Sequence, residues 1–273
     1  MNLNLPNLPS RSSKPRSKGL TIIQDEGLSL RSIEELISTS GHIIDFARIS
    51  SGSLCSAEPL SKRVESYRQA GIIPLLGGII FEAAYIRDSV DEYLQTVEAA
   101  GIDHIEISDA VVEIHPEKKA AIIEELSKRF TVFSKTGTKI KTMSFRHKEW
   151  KDYLLAESAS GAKKIIIEGG ETGTSPVFSG KTEINVNLVN HILKFVGNDD
   201  IIWETPLQEQ QVWFITRFGA GVNLADIDPG QILALESQRL GTHWKTFGNN
   251  IGFETGGKKL RKTDPIFEID FQL

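Results

Sequence analysis

The amino-acid sequence predicts a single (β/α)8 barrel, an α/β fold in which eight parallel strands alternate with helices. Three observations predict it. Short apolar runs alternate with helix-like stretches, eight such runs occur, and prolines begin and glycines end many of the helix-like stretches. The 273 residues fit one barrel of about 250 residues or two smaller domains. A doubly wound open sheet is the alternative, but no G-x-G-x-x-G turn follows any early strand.

Each predicted strand is a short run in which apolar residues are nearly continuous. Parallel strands that are buried on both faces have this composition, whereas half-exposed strands alternate apolar and polar residues. In chain order the predicted strands are Leu20–Gln24, Ile43–Ile49, Ile72–Leu76, His104–Ser108, Thr131–Ser134, Lys164–Glu168, Asp200–Glu204 and Gly221–Leu224.

Between the strands lie stretches with helical spacing of apolar residues and with start and stop signals. Ser29 is placed to cap the first helix, and Pro116, Pro206 and Pro229 suit the first turns of later ones. Glycine follows many of these stretches, as is common where a helix ends. The predicted helices are Ser29–Ile37, Ser89–Ala100, Glu117–Arg129, Trp150–Ser160, Ile184–Val196, Leu207–Phe218 and Gly230–Leu240.

Residues 19–241 form the predicted barrel, between a flexible leader at residues 1–18 and an extension at residues 242–273. The leader lacks the apolar core of a secretory signal. Because it is basic and rich in serine, a transit peptide is an alternative, although the leader lacks a helical amphipathic pattern. The extension is rich in aromatic residues, and we expect it to pack on the barrel or on a neighbouring subunit. Together with exposed barrel helices, it predicts a homo-oligomer.

The composition argues against several classes of protein. The net charge is −5, which is unlike a nucleic-acid-binding surface. The single cysteine, Cys55, can form neither an internal disulfide nor a thiolate metal cluster. The longest apolar runs are too short to cross a membrane. We therefore expect a cytoplasmic protein with neither nucleic acid nor membrane as a partner.

Catalytic groups of a barrel lie at the C-terminal ends of its strands, so the polar residues there are the candidate site. The carboxylates of Asp25, Glu168 and Glu204 are expected to converge at this end. Like charges in one cleft need a cation, and oxygen ligands suit Mg²⁺, so these three are the predicted metal ligands. Asp25 and Asp109 are alternatively simple helix caps.

Cations near the same end predict a small anionic, phosphorylated substrate. Arg48, Lys135 and Lys139 follow strands 2 and 5, and they are the predicted catalytic residues; Arg48 is alternatively a structural ion-pair partner. Small and polar residues around the strand ends offer N–H and hydroxyl groups for a phosphate. The predicted substrate-binding residues are Lys14, Arg16, Gly77, Gly78, Ser108, Ser134, Gly169, Gly170, Thr172 and Asn223.

Several motifs resemble the phosphosulfolactate synthase family, from about Lys14 to Leu240. The most specific is Trp203-Glu204-x-Pro206, which runs into Gln210-Gln211-Val212-Trp213; shorter matches are Lys14-Pro15-Arg16, Gly77-Gly78-x-x-Phe81-Glu82 and Glu106-x-Ser108-Asp109. The resemblance implies a (β/α)8 barrel and a Mg²⁺-dependent lyase that adds sulfite to phosphoenolpyruvate. The family is also similar to plant heat-stress-associated proteins.

Three segments depart from the family's pattern. Arg48 stands where the family has lysine, Ser134-Lys135-Thr136-Gly137-Thr138-Lys139 replaces Ser-Glu-Val-Gly-Lys-Lys, and Glu168-Gly169-Gly170-Glu171-Thr172-Gly173 replaces Glu-Ala-Arg-Glu-Ser-Gly. Arginine hardly loses its proton, so the predicted proton donors are Lys139 and Lys135.

The sequence therefore predicts a phosphosulfolactate synthase-like lyase that acts on phosphoenolpyruvate or a close analogue. One alternative is a family member that binds a phosphorylated ligand, or serves a stress or scaffold role, without this activity. Another is an aldolase that uses Lys135 or Lys139 as a Schiff-base amine.

Overall fold

A computed structural model describes residues 5–137, 147–170, 175–179 and 183–247 of the chain. Within them eight parallel strands close into a barrel in the order in which they occur in the chain, and the last of them pairs with the first. The strands of this barrel are Thr21–Asp25 (β1), Phe46–Ile49 (β2), Ile73–Leu76 (β3), His104–Ser108 (β4), Thr131–Thr136 (β5), Lys164–Ile167 (β6), Ile201–Glu204 (β9) and Leu224–Ile227 (β10). The predicted fold class is confirmed.

Helices alternate with the strands and cover the outside of the barrel. They are Leu30–Ser40 (α1), Ser51–Leu54 (α2), Leu60–Gln69 (α3), Gly78–Tyr85 (α4), Val90–Ala99 (α5), Pro116–Leu126 (α6), His147–Ala159 (α7), Val186–Ile192 (α8), Gln208–Phe218 (α9) and Ile232–Arg239 (α10). Ser29 caps α1 through a bond from Ser32 N, as predicted. Two short strands, Phe178–Ser179 (β7) and Glu183–Ile184 (β8), pair antiparallel outside the barrel. Among the described helices, none has the length and apolar character that a bilayer crossing requires.

The interior of the barrel explains why polar residues gather at one end. Alternate residues of a strand face the interior, and those nearest the N-terminal ends form a buried apolar cluster. Its members are Leu20, Ile22, Phe46, Leu75, Phe133, Ile166, Ile202 and Ala225. Two residues further along the same strands stand Gln24, Arg48, Gly77, Lys135, Glu168 and Glu204. The alternation that packs the interior therefore also brings these polar groups to the C-terminal opening, called the mouth below.

The last barrel strand differs most from its prediction. The expected strand was Gly221–Leu224, and the observed one is Leu224–Ile227. Thr21 of β1 pairs with Leu224, and Ile23 pairs with Ile227. Between these two pairs β10 advances by three residues while β1 advances by two, so β10 contains one extra residue. This bulge contains Asp226, whose φ of +62° is left-handed.

The opposite, closed end of the barrel is covered by the segment before β1. Arg11 forms an ion pair with Glu236 of α10 at 3.0 Å and donates to the carbonyl oxygens of Gly19 and Ala220. Arg239 is fully buried and donates to three carbonyl oxygens at this end, those of Leu20, Ala220 and Val222. These contacts hold the N-terminal segment and α10 against the closed end of the barrel.

Candidate active site at the mouth of the barrel

A pocket of about 310 Å³ opens at the C-terminal ends of the strands. Charged groups from five different strands meet in its wall, where the barrel fold places catalytic residues. They are Arg48 of β2, Glu106 of β4, Lys135 of β5, Glu204 of β9 and Asp226 of β10. Gly77 and Gly78, at the start of α4, line the same pocket.

Arg48 lies at the centre of this cluster. Its Nε donates to Gln24 Oε1 at 2.7 Å, and its Nη2 donates to Asp226 Oδ1 at 3.0 Å. Its Nη1 donates to Glu204 and, at 3.3 Å, to Glu106. Burial by itself would lower the pKa of Arg48, but Glu204 and the other carboxylates raise it well above its usual value. The guanidinium is therefore a permanent cation.

Lys135 is the second cation of the mouth. Its Nζ lies 2.6 Å from Glu168 Oε2 and 2.8 Å from Glu204 Oε1. Burial opposes its charge, but Glu168 and Glu204 override this and raise the pKa of Lys135 far above its usual value. A Schiff-base nucleophile must be a neutral amine, so this geometry disfavours the aldolase alternative through Lys135. It favours charge stabilisation over proton donation by this residue.

Backbone N–H groups hold the carboxylates in place. Gly169 N donates to Glu204 Oε2 at 3.0 Å, Gly170 N to Glu168 Oε1 at 2.8 Å and Gly78 N to a Glu106 oxygen at 3.2 Å. Burial would raise the pKa of Glu204, but Lys135 and Arg48 lower it well below its usual range. Three N–H groups that were predicted to bind substrate thus bind protein carboxylates instead.

Charge is not balanced within the described part of the mouth. Arg48 and Lys135 carry two positive charges, whereas four carboxylates carry four negative ones. Those carboxylates belong to Glu106, Glu168, Glu204 and Asp226. Lys139 and Thr172, which were predicted to bind substrate or donate a proton, lie outside the described residues.

Asp25 does not join the other predicted metal ligands. Its Oδ1 accepts the N–H groups of Gly27 and Leu28, both at 2.9 Å, and its Oδ2 accepts from Arg63 at 2.7 Å and Tyr67 at 2.8 Å. These bonds hold the loop after β1, and Ser29 is the cap of α1, so Asp25 is not the helix cap of the alternative interpretation. Over the described ranges, no three side chains of His, Cys, Asp or Glu are grouped to hold a metal ion.

Three predicted substrate-binding residues lie at the closed end, so their predicted placement was wrong. Asn223 precedes β10; its Oδ1 accepts from Leu20 N, and its Nδ2 donates to two carbonyl oxygens, each at 2.9 Å. Arg16 forms an ion pair with Asp45 at 3.1 Å, and Lys14 donates to Gly41 O at 3.0 Å. Asp45 and Gly41 precede β2, so these contacts lie at the N-terminal ends of the strands.

Two predicted serines are not among the residues that line the pocket. Ser134 stands between Phe133 and Lys135, which face the interior, so its side chain faces the helices. Ser108 lies beneath α4, where its hydroxyl donates to Glu82. A Cβ on Gly78 would stand only 2.4 Å from the Cβ of Ser108, so glycine is required for this close approach.

Sequence reasoning missed Asp226 and gave Glu106 no definite role, although both contact Arg48. The strand-end rule would have found Asp226 only if the last strand had been placed three residues later. Glu106 lies between Ile105 and Ile107, and this alternation was the available signal that it faces the interior.

Comparisons with solved structures support the fold alone. The deoxyribose phosphate aldolase from Aeropyrum pernix is similar, with a TM-score of 0.54 and 11% sequence identity. The match covers 81% of this chain and 89% of that one. At such low identity the likeness carries no information about substrate.

Comparisons with known sequences identify the family. Residues 9–244 match the family described as (2R)-phospho-3-sulfolactate synthase. The phosphosulfolactate synthase of Methanothermobacter thermautotrophicus is 34% identical over 247 residues, covering 88% of this chain and 95% of that protein. The phosphosulfolactate synthase of Bacillus subtilis is 30% identical over 243 residues, covering 88% and 96%. The Arabidopsis thaliana protein HEAT-STRESS-ASSOCIATED 32 is 22% identical over 254 residues, covering 84% and 88%. The chain therefore belongs to the phosphosulfolactate synthase family, a family of lyases.

Proposed function

We propose that this protein catalyses the Mg²⁺-dependent addition of sulfite to phosphoenolpyruvate, or to a close analogue, to form phosphosulfolactate. The observation that carries the proposal is the pair of cations, Arg48 and Lys135, held by carboxylates in the mouth of a barrel of this family. Both side chains line the pocket, where they can contact a substrate.

The proposed reaction has a defined need for positive charge. The sulfur of sulfite attacks the methylene carbon, and the double-bond electrons move toward the carbon that bears the phosphate. Negative charge then spreads onto the substrate carboxylate as an enolate-like species. Preorganised cations at that carboxylate stabilise the charge, and Arg48 and Lys135 have this role in the proposal.

A general acid then protonates the carbon that bears the phosphate. Lys135 is poorly suited, because two carboxylates hold its proton firmly. We assign this step to Lys139, which follows β5 in the sequence. The first turn of α4 supports binding of the anionic substrate, since Ile79 lines the pocket and a helix N-terminus favours negative charge.

Magnesium fits the donor chemistry of the mouth, although not through the three ligands predicted from the sequence. The described part of the mouth holds several carboxylates, and oxygen is the ligand that Mg²⁺ prefers. Mg²⁺ commonly binds through one or two carboxylates together with substrate oxygens and water. Glu204, which lines the pocket, would hold it here. When bound, the ion would polarise the substrate carboxylate as a Lewis acid.

The test is an assay of phosphoenolpyruvate with sulfite and Mg²⁺, with the product detected by mass spectrometry. We expect a product that depends on both reactants and disappears when EDTA removes the metal. Glu168→Gln, which weakens the hold on Lys135, should reduce kcat at least about tenfold, while Glu34→Gln on the exposed face of α1 should not. Absence of product with the unaltered protein would overturn the proposal.

A second candidate is a family member that binds a phosphorylated ligand without turnover. It is favoured by the contacts of both mouth cations with carboxylates of the protein. A thermal-shift experiment separates the two candidates, because a ligand that binds the folded state raises the melting temperature. Stabilisation by phosphoenolpyruvate without any product would favour the second one.

We also propose that the protein acts in the cytoplasm as a homo-oligomer. Leu233 and Trp244 are large apolar residues with 58% and 61% of their surface exposed, and exposed apolar surface commonly marks an interface. Light scattering coupled to size-exclusion chromatography tests this proposal. A mass of 30.2 kDa, that of one chain, would contradict it.

A further inference from the structure

Asp226 occupies an unusual backbone position in β10. Its φ of +62° is left-handed, a conformation that costs free energy for any residue with a side chain. Such residues persist where surrounding structure holds them, and they concentrate at functional sites. The unfavourable backbone conformation therefore indicates a functional role for the side chain of Asp226.

The bulge turns the carboxylate of Asp226 toward the mouth. Leu224 and Ile227 both pack in the outer apolar cluster, although they stand three residues apart, and Ala225 packs inside the barrel. In a regular strand, the residue after Ala225 would face the outer helices. The extra residue instead lines the pocket and accepts a hydrogen bond from Arg48.

The hydrogen bonds of Arg48 leave one donor for a ligand. A guanidinium has five N–H groups. One on Nε binds Gln24, two on Nη1 bind Glu106 and Glu204, and one on Nη2 binds Asp226. Among the described residues, the second N–H of Nη2 has no acceptor. It belongs to a side chain in the pocket wall.

We propose that Asp226 is a positioning residue, which fixes the Nη2 group of Arg48 so that its remaining N–H binds an oxygen of an oxyanion substrate. The identity of that substrate, phosphoenolpyruvate, rests on the proposed function. The carboxylate of Asp226 acts through Arg48, and the bulge in β10 brings this carboxylate to the mouth. With 16% of its side chain exposed, against 5% for Arg48, Asp226 stands at the outer edge of the cluster, beside arriving ligands.

Two substitutions separate positioning from a purely stabilising ion pair. Asp226→Asn keeps an acceptor oxygen in the same place and tolerates a left-handed backbone. Asp226→Gly relieves the backbone and removes the acceptor. Asp88→Gly is the matched control, because Asp88 also has a left-handed φ, +53°, but is exposed between α4 and α5.

Binding of phosphoenolpyruvate is measured by calorimetry without sulfite, so that no turnover occurs, and circular dichroism verifies folding. We expect Asp226→Gly to bind about 10-fold to 100-fold more weakly, as for a lost charge-assisted hydrogen bond. Asp226→Asn and Asp88→Gly should stay within about 3-fold of the unaltered protein. With sulfite present, the same glycine variant should show a higher KM and a smaller change in kcat.

Several outcomes would contradict the positioning role of Asp226. A folded Asp226→Gly variant that binds normally, or an Asp226→Asn variant as weak as the glycine one, would overturn the positioning role. Failure of Asp226→Gly to fold would also overturn it, since the ion pair would then serve stability. If the unaltered protein does not bind phosphoenolpyruvate, the proposed substrate is wrong, and the same comparison with inorganic phosphate decides the role of Asp226. No binding of either anion would overturn both proposals.

Discussion

The ammonium group of Lys135 lies 2.6 Å from Oε2 of Glu168, across the neighbouring strands β5 and β6. Both side chains are at least 95% buried, and the same ammonium also contacts Glu204. Removing one member of a buried ion pair leaves an uncompensated charge, which is far more costly than removing the whole pair.

Lys135→Met should therefore lower the free energy of unfolding by about 3–5 kcal/mol, measured by urea denaturation near neutral pH. The double variant Lys135→Met with Glu168→Gln should recover part of that loss, because it removes the carboxylate as well. Strictly additive losses in the two single variants and the double variant would show that the two side chains do not interact.

A second buried cluster lies behind β5. Lys119 is fully buried, and its Nζ lies 2.8 Å from Asp109 and 2.7 Å from Glu157, while it also donates to the carbonyl oxygen of Lys135. Two carboxylates thus share one ammonium. Burial raises the pKa of Asp109 to about 6, Lys119 opposes the rise, and Glu157 adds to it.

The raised pKa of Asp109 determines how the stability of the folded protein depends on pH. The pKa of Asp109 is higher in the folded chain than the value of about 3.9 of an unfolded chain. Its protonation therefore contributes stability that is fully present below about pH 4 and is lost as the pH rises through about 6. Asp109→Asn does not titrate, so its stability relative to the unaltered protein should rise by about 2 kcal/mol between pH 4 and pH 7. Parallel curves of unfolding free energy against pH would contradict this.

Asn223 should prove to be a structural residue. Its side chain makes three hydrogen bonds at the closed end, so Asn223→Leu leaves buried backbone groups without partners. We expect a loss of about 2 kcal/mol or more in unfolding free energy, with an unchanged KM for the folded fraction. Asn190→Leu, exposed on α8, is the control and should lose little stability. A raised KM for the Asn223 variant would restore it as a candidate ligand of the substrate.

Gly78 should tolerate no side chain. An added Cβ would stand 2.4 Å from Ser108 Cβ and 2.8 Å from a Glu106 oxygen. Gly78→Ala should therefore cost about 1–3 kcal/mol and raise KM, because it displaces Glu106 from Arg48. At Gly221 a Cβ meets nothing within 4 Å, so Gly221→Ala is the matched control. Equal thermal stability of the two variants would show that the mouth yields to the added methyl group.

The fold could be predicted because each barrel strand carries its own apolar pattern, which is a local property. The strand His104–Ser108 was predicted with its observed limits. Prediction of the last strand failed because Val222 and Leu224 flank Asn223 in an apolar run, whereas the true strand contains an aspartate on a bulge. A bulge depends on pairing with β1, about 200 residues away, and the sequence of β10 alone does not contain that information.

Arg48, Lys135, Glu168 and Glu204 were identified from the sequence as polar groups at strand ends, and they do meet. Their pairing was not predictable, because Arg48 and Glu204 are 156 residues apart and contact each other only through barrel closure. Asp25 lies apart from Glu168 and Glu204 for a local reason. Its carboxylate folds back onto the N–H groups of Gly27 and Leu28, as aspartate commonly does in turns.

The sealed floor of the barrel has a kinetic consequence. In the part of the chain that the structure describes, apolar side chains fill the interior below the mouth, and the bonds of Arg239 close the far end. In the proposed reaction, both reactants would reach Arg48 and Lys135, and product would leave them, through the mouth of the described barrel. When two reactants share one opening and one binds beneath the other, they must bind in sequence. The deeper reactant must then bind first. An excess of the later reactant then blocks the earlier one, so the proposed reaction should follow a compulsory order of addition.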